Sequence, residues 1–339
     1  MSATNRTWVL GASDPEMVKI ETILSEAREA VVYATIDGTR VHPGNAYRAD
    51  WPEVDGHLLL VECGFASPSD EALSNIGEII HIDHHREGDP GFARPPEEFL
   101  PASSLGQVLE FLARNGLVPG RCGTLLDHGE FSPRPFFYAG EWQQDVCWSG
   151  GSWYRRIIPE ELVLAAAADH CLEAAYRGHC PGVDPDTLMK WRVKTRAKFQ
   201  GRPESALLAD VEIARAHIRE AVFHWIHPSH IEGWCENQGR APSRDEAAII
   251  ASGVPGRLRM RAWADLRKAG YIPELPEAAA REGIPVLAET IDRDGRRKVV
   301  LQAAPPWLVV AFLDGRIVDG LRGGYGDPAR GFAGGYLVY

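Results

Sequence analysis

The sequence predicts an α/β fold built on a parallel sheet, and three observations carry that prediction. Short apolar runs of strand length recur early: Trp8-Val9-Leu10, Ala30 to Thr35, His57 to Val61, and Ile79-Ile80-His81-Ile82. An amphipathic stretch from Met17 to Ala30 separates the first two. Apolar strands alternating with helices imply parallel pairing through right-handed crossovers. Third, polar residues collect just after the strands: Asp14 and Glu16 after the first, Glu62 after the third, Asp83, His84 and His85 after the fourth. At the carboxyl edge of a parallel sheet such side chains leave the sheet for the crevice where α/β folds place ligands. The domain plan that follows is a parallel-sheet domain over 1–180, a helical connector over 181–270, and a smaller α+β domain over 271–339.

Taken in order, Pro15 directly after Asp14 fits a helix start with proline at the first helical position. Asp37 to Trp51 is polar and reads as a long loop or a lid. After Glu62-Cys63-Gly64 a short helix is expected over Ser69–Ile76, leading to the strand that carries Asp83. Ser103 and Ser104 are good N-cap residues for a helix from Leu105 to Ala113. Residues 115–157 are rich in glycine and aromatics (Phe136-Phe137-Tyr138, Trp142, Trp148, Trp153-Tyr154), which predicts an irregular β-rich insertion. Its aromatics form a small core or stack nucleobases. Glu160 to Tyr176 is a helix with one unusually small face, Ala165 to Ala168, carrying Asp169 and His170. Pro181 to about Arg267 reads as charged helices, a solvated domain or dimer face. Strand signals return at Pro285 to Ala288, Lys298 to Leu301 and Leu308 to Leu313, and the end is glycine-rich from Arg322 to Gly335.

Composition narrows the partners. Over 339 residues the formal net charge is −11, so no broad basic footprint for long duplex DNA exists. A small anionic ligand held by metals and a few arginines remains compatible. The six cysteines (63, 122, 147, 171, 180, 235) are scattered without a CxxC, and no signal peptide or membrane span is seen, which predicts reduced thiols in a cytoplasm. His170-Cys171, His179-Cys180, His224, His227, His230 and Cys235 match no compact structural zinc spacing.

The strand-end residues carry the chemistry. Asp with His suits a divalent metal of intermediate hardness, manganese in particular, although two histidines capping a strand end can also be merely exposed. Four carboxylates converging on one sheet edge repel by several kcal/mol unless a cation lies between them. Two divalent metals about 3.5–4 Å apart resolve the repulsion and create a hydrolytic site, activating a water and polarising a phosphoryl oxygen.

With these residues in place the chain resembles the DHH phosphoesterase superfamily. Asp83-His84-His85 is similar to its signature motif, Asp14-Pro15-Glu16 stands where a D-x-D motif belongs, Val61-Glu62-Cys63-Gly64 looks like the second motif, and Asp169 in Ala168-Asp169-His170 like the fourth. The terminal glycine-rich segment, ending in Gly331-Phe332, is similar to the DHHA1 substrate-binding module. The likeness covers 8–176 reasonably and 284–339 loosely. It implies that Asp14 and Asp169 hold one Mn²⁺, Glu16 and His84 the other, with Glu62 bridging and Mg²⁺ a possible substitute. It further implies that His85 faces the scissile phosphate, that Asp83 orients an imidazole, and that Arg322, Gly323, Gly324 and Arg330 grip a substrate phosphate, with the substrate held between the two domains. The departures are Leu10-Gly11 where the family often has a histidine, Glu16 and Glu62 in place of aspartates, and Tyr325-Gly326-Asp327 where a histidine belongs.

The implied function is hydrolysis of short oligonucleotides or related nucleotide phosphodiesters by a cytoplasmic enzyme with no membrane or long-duplex partner. Two alternatives stay open. One is a pyrophosphate or polyphosphate hydrolase; the other is a binding or scaffold protein that kept the fold without catalysis.

Overall fold

In the computed structural model, residues 6–66, 75–117, 132–147, 153–226, 247, 260–292, 295–328 and 330–337 are described. The chain divides into two units, Met1–Arg202 and Pro203–Tyr339.

The first unit begins with β1 (Arg6–Leu10), α1 (Pro15–Glu26) and β2 (Val31–Tyr33). A hairpin of β3 (Thr35–Ile36) and β4 (Thr39–Arg40) follows, then β5 (Gly56–Val61) and β6 (Ile76–Ile82). The four longer strands form a parallel sheet in the order β2-β1-β5-β6. Its inner strands are apolar on both faces because both faces are covered. On one face Val9, Leu58 and Leu60 pack with Ala34, Val41 and Ala49. On the other, Trp8 meets Phe111 edge-on at 5.2 Å, and its indole donates to Glu29 at 2.8 Å. Asp14 starts α1 by accepting from the Met17 amide at 2.7 Å, with Pro15 next to it. The β3–β4 turn uses Asp37 and Gly38, both at positive φ (51° and 73°), the backbone a two-residue hairpin loop needs. The start of the long polar loop expected from Asp37 is thus a hairpin.

After the sheet come α2 (Phe99–Ala102) and α3 (Ser104–Arg114), the latter capped by Ser103, which accepts from the Gly106 amide at 3.0 Å. Three antiparallel strands, β7 (Phe136–Tyr138), β8 (Glu141–Cys147) and β9 (Trp153–Ile157), make up the described part of the aromatic insertion. α4 (Glu160–His170), α5 (Leu172–Tyr176) and α6 (Pro185–Gln200) close the unit. The single helix expected over Glu160–Tyr176 is broken at Cys171, whose φ of −149° and ψ of 45° leave the helical region. Ala165 to Ala168 are all buried, and α4 packs against α1, α2, α3 and α6.

The second unit holds α7 (Glu204–Glu220), β10 (Val222–Ile226), β11 (Met260–Asp265), α8 (Leu275–Glu282), β12 (Val286–Ile291), β13 (Arg297–Gln302), α9 (Pro306–Leu313), β14 (Leu321–Asp327) and β15 (Phe332–Leu337). Its mixed sheet runs β10-β11-β12-β13-β15-β14, with only β11 and β12 parallel. Leu287, Val299, Leu301 and Ala333 pack with Trp307, Leu308 and Phe312 of α9.

Two expectations change here. The strand expected at Leu308–Leu313 is the helix α9. A buried apolar run reads alike as strand or helix, and Pro306 in the first turn is the sign of the helix. The helical connector is not one body: α6 belongs to the first unit and α7 to the second, while Val222–Ile226 and Met260–Asp265 are strands. Val222-Phe223-His224-Trp225-Ile226 has the β-branched and aromatic content of a strand, hidden by charged flanks. The short helix expected at Ser69–Ile76 lies outside the described residues up to 74, and Ile76 opens β6. Among the described residues no helix is long and apolar enough to cross a membrane.

Candidate metal centre

The site forms at the carboxyl edge of the parallel sheet, from the exits of β1, β5 and β6 together with the end of α4. The first two exits touch through their backbones. Gly11 donates to the Val61 carbonyl at 2.9 Å, and a Cβ on Gly11 would lie 2.3 Å from the Glu62 carbonyl oxygen. Glycine is therefore required at position 11. Glu62 itself has φ 51°, a left-handed backbone unusual for a residue with a Cβ.

At the β6 exit Asp83 is 2 % exposed and organises its own turn. Its Oδ1 accepts from the amides of His84 (2.7 Å) and His85 (3.0 Å) and lies 2.9 Å from His85 Nδ1; its Oδ2 accepts from the Tyr47 hydroxyl at 2.8 Å. Burial pushes this carboxyl up, but the His85 hydrogen bond and charge, with the Tyr47 hydroxyl, outweigh it and hold the pKa at about 2. Asp83 thus fixes the tautomer and ring plane of His85, an arrangement that also orients imidazoles in metal sites. Gln107 clamps the same turn, donating to the Asp83 carbonyl and the Ala102 carbonyl at 2.9 Å each and accepting from the Asp83 amide at 3.2 Å.

His84 is fully buried. Its Nδ1 faces Ser104 Oγ at 3.2 Å and its Nε2 faces Asp169 Oδ2 at 2.9 Å, so α3 and the last turn of α4 meet on one imidazole. His84 stacks on His85 at 4.3 Å, and His170 approaches it edge-on at 5.0 Å. Glu62, His84, His85 and Asp169 each bring one ligand-capable atom within 4.8 Å of the others, the one such group among the described residues.

Asp14 and Glu16 border this group. Glu16, 2 % exposed, accepts from the Leu105 amide at 3.2 Å through Oε1. Burial, then the charges of Asp169, Glu62 and Asp14, push its carboxyl well above the usual range. Burial and the Asp169 charge raise Asp14 to about 6. Burial raises Glu62 to about 8; His85 opposes the rise, while Asp169, Asp14 and Asp83 add to it. Glu16 Oε2 and Glu62 Oε1 are buried with no hydrogen-bond donor among the described residues.

A buried carboxylate oxygen without a donor costs free energy, and several around one point require protons or a cation. The mixed oxygen and imidazole donors fit a divalent ion of intermediate hardness.

The residues expected from sequence at this edge, Asp14, Glu16, Glu62, Asp83, His84, His85 and Asp169, are all brought together. The tight group differs from the expected ligand set, however: it includes His85 and leaves Asp14, the α1 cap, and Glu16 at the border. Sequence reading missed Tyr47, Ser104 as a partner of His84, and Gln107. Arg86, with its guanidinium 3.2 Å above the Tyr47 ring, was missed as well.

Arg322, Gly323, Gly324 and Arg330 belong to the second unit. The first three are exposed on β14 at an irregularity in its pairing with β15, where Gly323 has φ 57°. Arg330 folds back on its own turn, its amide 3.4 Å from Asp327 Oδ1 and its guanidinium 5.3 Å from the Phe332 ring. Asp327 is fully buried, so it does not present its charge at the surface. Of the zinc candidates, His227, His230 and Cys235 lie outside the described residues, and His224 stacks on Trp263 at 4.6 Å.

The raised carboxyl pKa values predict how the metal-free protein responds to pH. Glu62 and Asp14 have folded pKa values above their unfolded ones. The stability they contribute is therefore complete below about pH 4 and is lost as pH rises through about 6 and then 8. The unfolding free energy in chelator should fall between pH 5 and 8.5 by several kcal/mol, since each tenfold change in a protonation equilibrium is worth about 1.4 kcal/mol. Added Mn²⁺ should flatten that fall, and a chelated protein that grows more stable over this range in thermal melts would contradict the carboxylate assignment.

No model of a protein family and no curated protein matches the chain.

Proposed function

We propose that the chain is a divalent-metal-dependent phosphoesterase of the DHH kind, hydrolysing short oligonucleotides or related nucleotide phosphodiesters with two Mn²⁺ ions, or Mg²⁺ in their place. The observation that carries the reading is the acidic and imidazole cluster at the sheet edge, with two buried carboxylate oxygens that no protein donor among the described residues satisfies. When bound, such metals supply an activated water and polarise the phosphoryl group. The chain's own residues supply the rest. Glu62, His84 and Asp169, bordered by Asp14 and Glu16, would hold the ions. Asp83 holds the His85 ring so that the imidazole donates a proton toward a phosphoryl or leaving-group oxygen. Tyr47 keeps the Asp83 carboxylate from rotating away, and Gln107 holds the backbone of its turn.

The test is a screen of the purified full chain with Mn²⁺ against short RNA, short DNA, cyclic dinucleotides and pyrophosphate, alongside melting with and without chelator. Expected are phosphodiester cleavage and a metal stabilisation of about 2.7 kcal/mol at a hundred times Kd. Cleavage of pyrophosphate alone turns the reading toward an anhydride hydrolase. Tight Mn²⁺ binding with no cleavage turns it toward a scaffold, and indifference to Mn²⁺ removes the metal centre altogether.

The arginines of the second unit are expected to separate under mutation. Arg322 is exposed, so Arg322→Ala should weaken substrate binding by about 1.5–3 kcal/mol, the scale of a charge-assisted hydrogen bond, at unchanged stability. Arg330 is also tied to its turn, so Arg330→Ala should lower the melting temperature of the second unit as well. KM and thermal melts of the two variants decide this, and an Arg322→Ala enzyme with parental KM removes Arg322 from the substrate site.

A further inference from the structure

A pair of buried thiols begins two residues beyond Asp169, where α4 ends. Cys171 Sγ and Cys180 Sγ are 2.7 Å apart, and the residues are 4 % and 2 % exposed. A disulfide bond is about 2.05 Å long, so closing it asks for a shift of well under an ångström. The surrounding backbone holds both sulfurs in place. Cys171 N donates to the Ala167 carbonyl at 3.1 Å, His179 N to the Ala174 carbonyl at 2.9 Å, and the Trp142 indole to the Pro181 carbonyl at 2.8 Å. Cys63, also buried, instead directs its thiol to the Val9 carbonyl at 3.4 Å.

We propose that Cys171 and Cys180 are a modification site for peroxide, forming a reversible disulfide that clamps the break between α4 and α5. The position gives the bond its consequence. Cys171 is where α4 ends, two residues past Asp169 and next to His170, so the bond ties the last turn of α4 to the segment leading into α6.

The chemistry balances with hydrogen peroxide as oxidant. One thiolate displaces hydroxide from the peroxide and becomes a sulfenic acid. The other thiolate attacks that sulfur, the S–S bond forms and hydroxide leaves; two thiols and one peroxide yield one disulfide and two waters. A thiol reductant restores the pair by exchange. The inference goes beyond the hydrolase reading and does not depend on it, since it is read without metal or substrate.

The full chain is treated with limited hydrogen peroxide, alkylated, and digested with trypsin, and a matched sample is reduced first. Arg177 lies between the two cysteines, so digestion separates Ile157–Arg177 from Gly178–Lys190. Expected is a linked pair of these peptides, two hydrogens lighter than their sum, that disappears on reduction. The first unit of the oxidised protein should also melt roughly 5 °C higher, the gain for closing a loop of about ten residues. Cys171→Ala and Cys180→Ala should each abolish both effects, and if either fails to fold the peptide result on the parent still decides. Alkylation of both cysteines after peroxide, a link that forms only in unfolded protein, or a link without a rise in melting temperature would overturn the clamp.

Discussion

Glu62→Gln should make the metal-free protein more stable at pH 8 while removing the metal-dependent activity proposed for it. The Glu62 carboxyl is buried and faces Asp169, Asp14 and Asp83, and its pKa near 8 records the cost of ionising it there. A neutral side chain of the same shape removes that repulsion. Denaturant unfolding in chelator should show a gain on the order of 2–4 kcal/mol at pH 8, fading below pH 5, where the parental carboxyl is protonated. Calorimetric titration should show Mn²⁺ affinity lowered by about a hundredfold or more, with turnover lost alongside. A variant that is less stable without metal and still binds it like the parent would remove Glu62 from the centre.

His85→Ala should lower kcat by about 10²–10⁴, the range for a positioned acid or hydrogen-bond donor. Its Mn²⁺ affinity should stay within a few-fold of the parent, because in this reading His85 serves the phosphate. His84→Ala should weaken Mn²⁺ binding as well as turnover, since it empties a fully buried position whose Nε2 faces Asp169. Asp83→Asn adds a third reading. It keeps the bulk but takes from His85 Nδ1 the carboxylate that sets its tautomer, so kcat should fall with metal affinity kept. Kinetics and calorimetry on the three variants separate the roles. Equal loss of Mn²⁺ affinity in His84→Ala and His85→Ala would make His85 a ligand, as its place in the tight group allows.

What could be read from sequence was what is local. The strands ending near Leu10, Val61 and Ile82 announced themselves through short apolar runs followed by polar residues, and the α1 and α3 caps through Asp14 and Ser103. The convergence of Asp14, Glu16, Glu62, Asp83, His84 and His85 followed from parallel strands opening on one edge. The supporting partners did not follow. Tyr47 reaches Asp83 across 36 residues, Gln107 across 24, and Ser104 reaches His84 across 20. No periodicity encodes such pairings, because they are set by where the crossovers return the chain. The helix at Pro306–Leu313 was missed for another reason: an apolar run buried on several sides has no alternation to betray its period.

The four buried alanines of α4 bear on the mechanical tolerance of the centre. Helices that meet through side chains this small approach to the short end of the usual 8–10 Å axial spacing. Asp169 follows directly on Ala168, so the helix that carries the carboxylate takes its position from contacts along its length. A valine at Ala166 or Ala167 would push the helix axis outward by a good fraction of an ångström, whereas metal–ligand distances tolerate about 0.2 Å. The accuracy of the carboxylate is therefore stored remotely, as missing bulk on a helix flank, and mutations far from the cluster should detune the proposed centre while leaving each of its candidate ligands in the sequence.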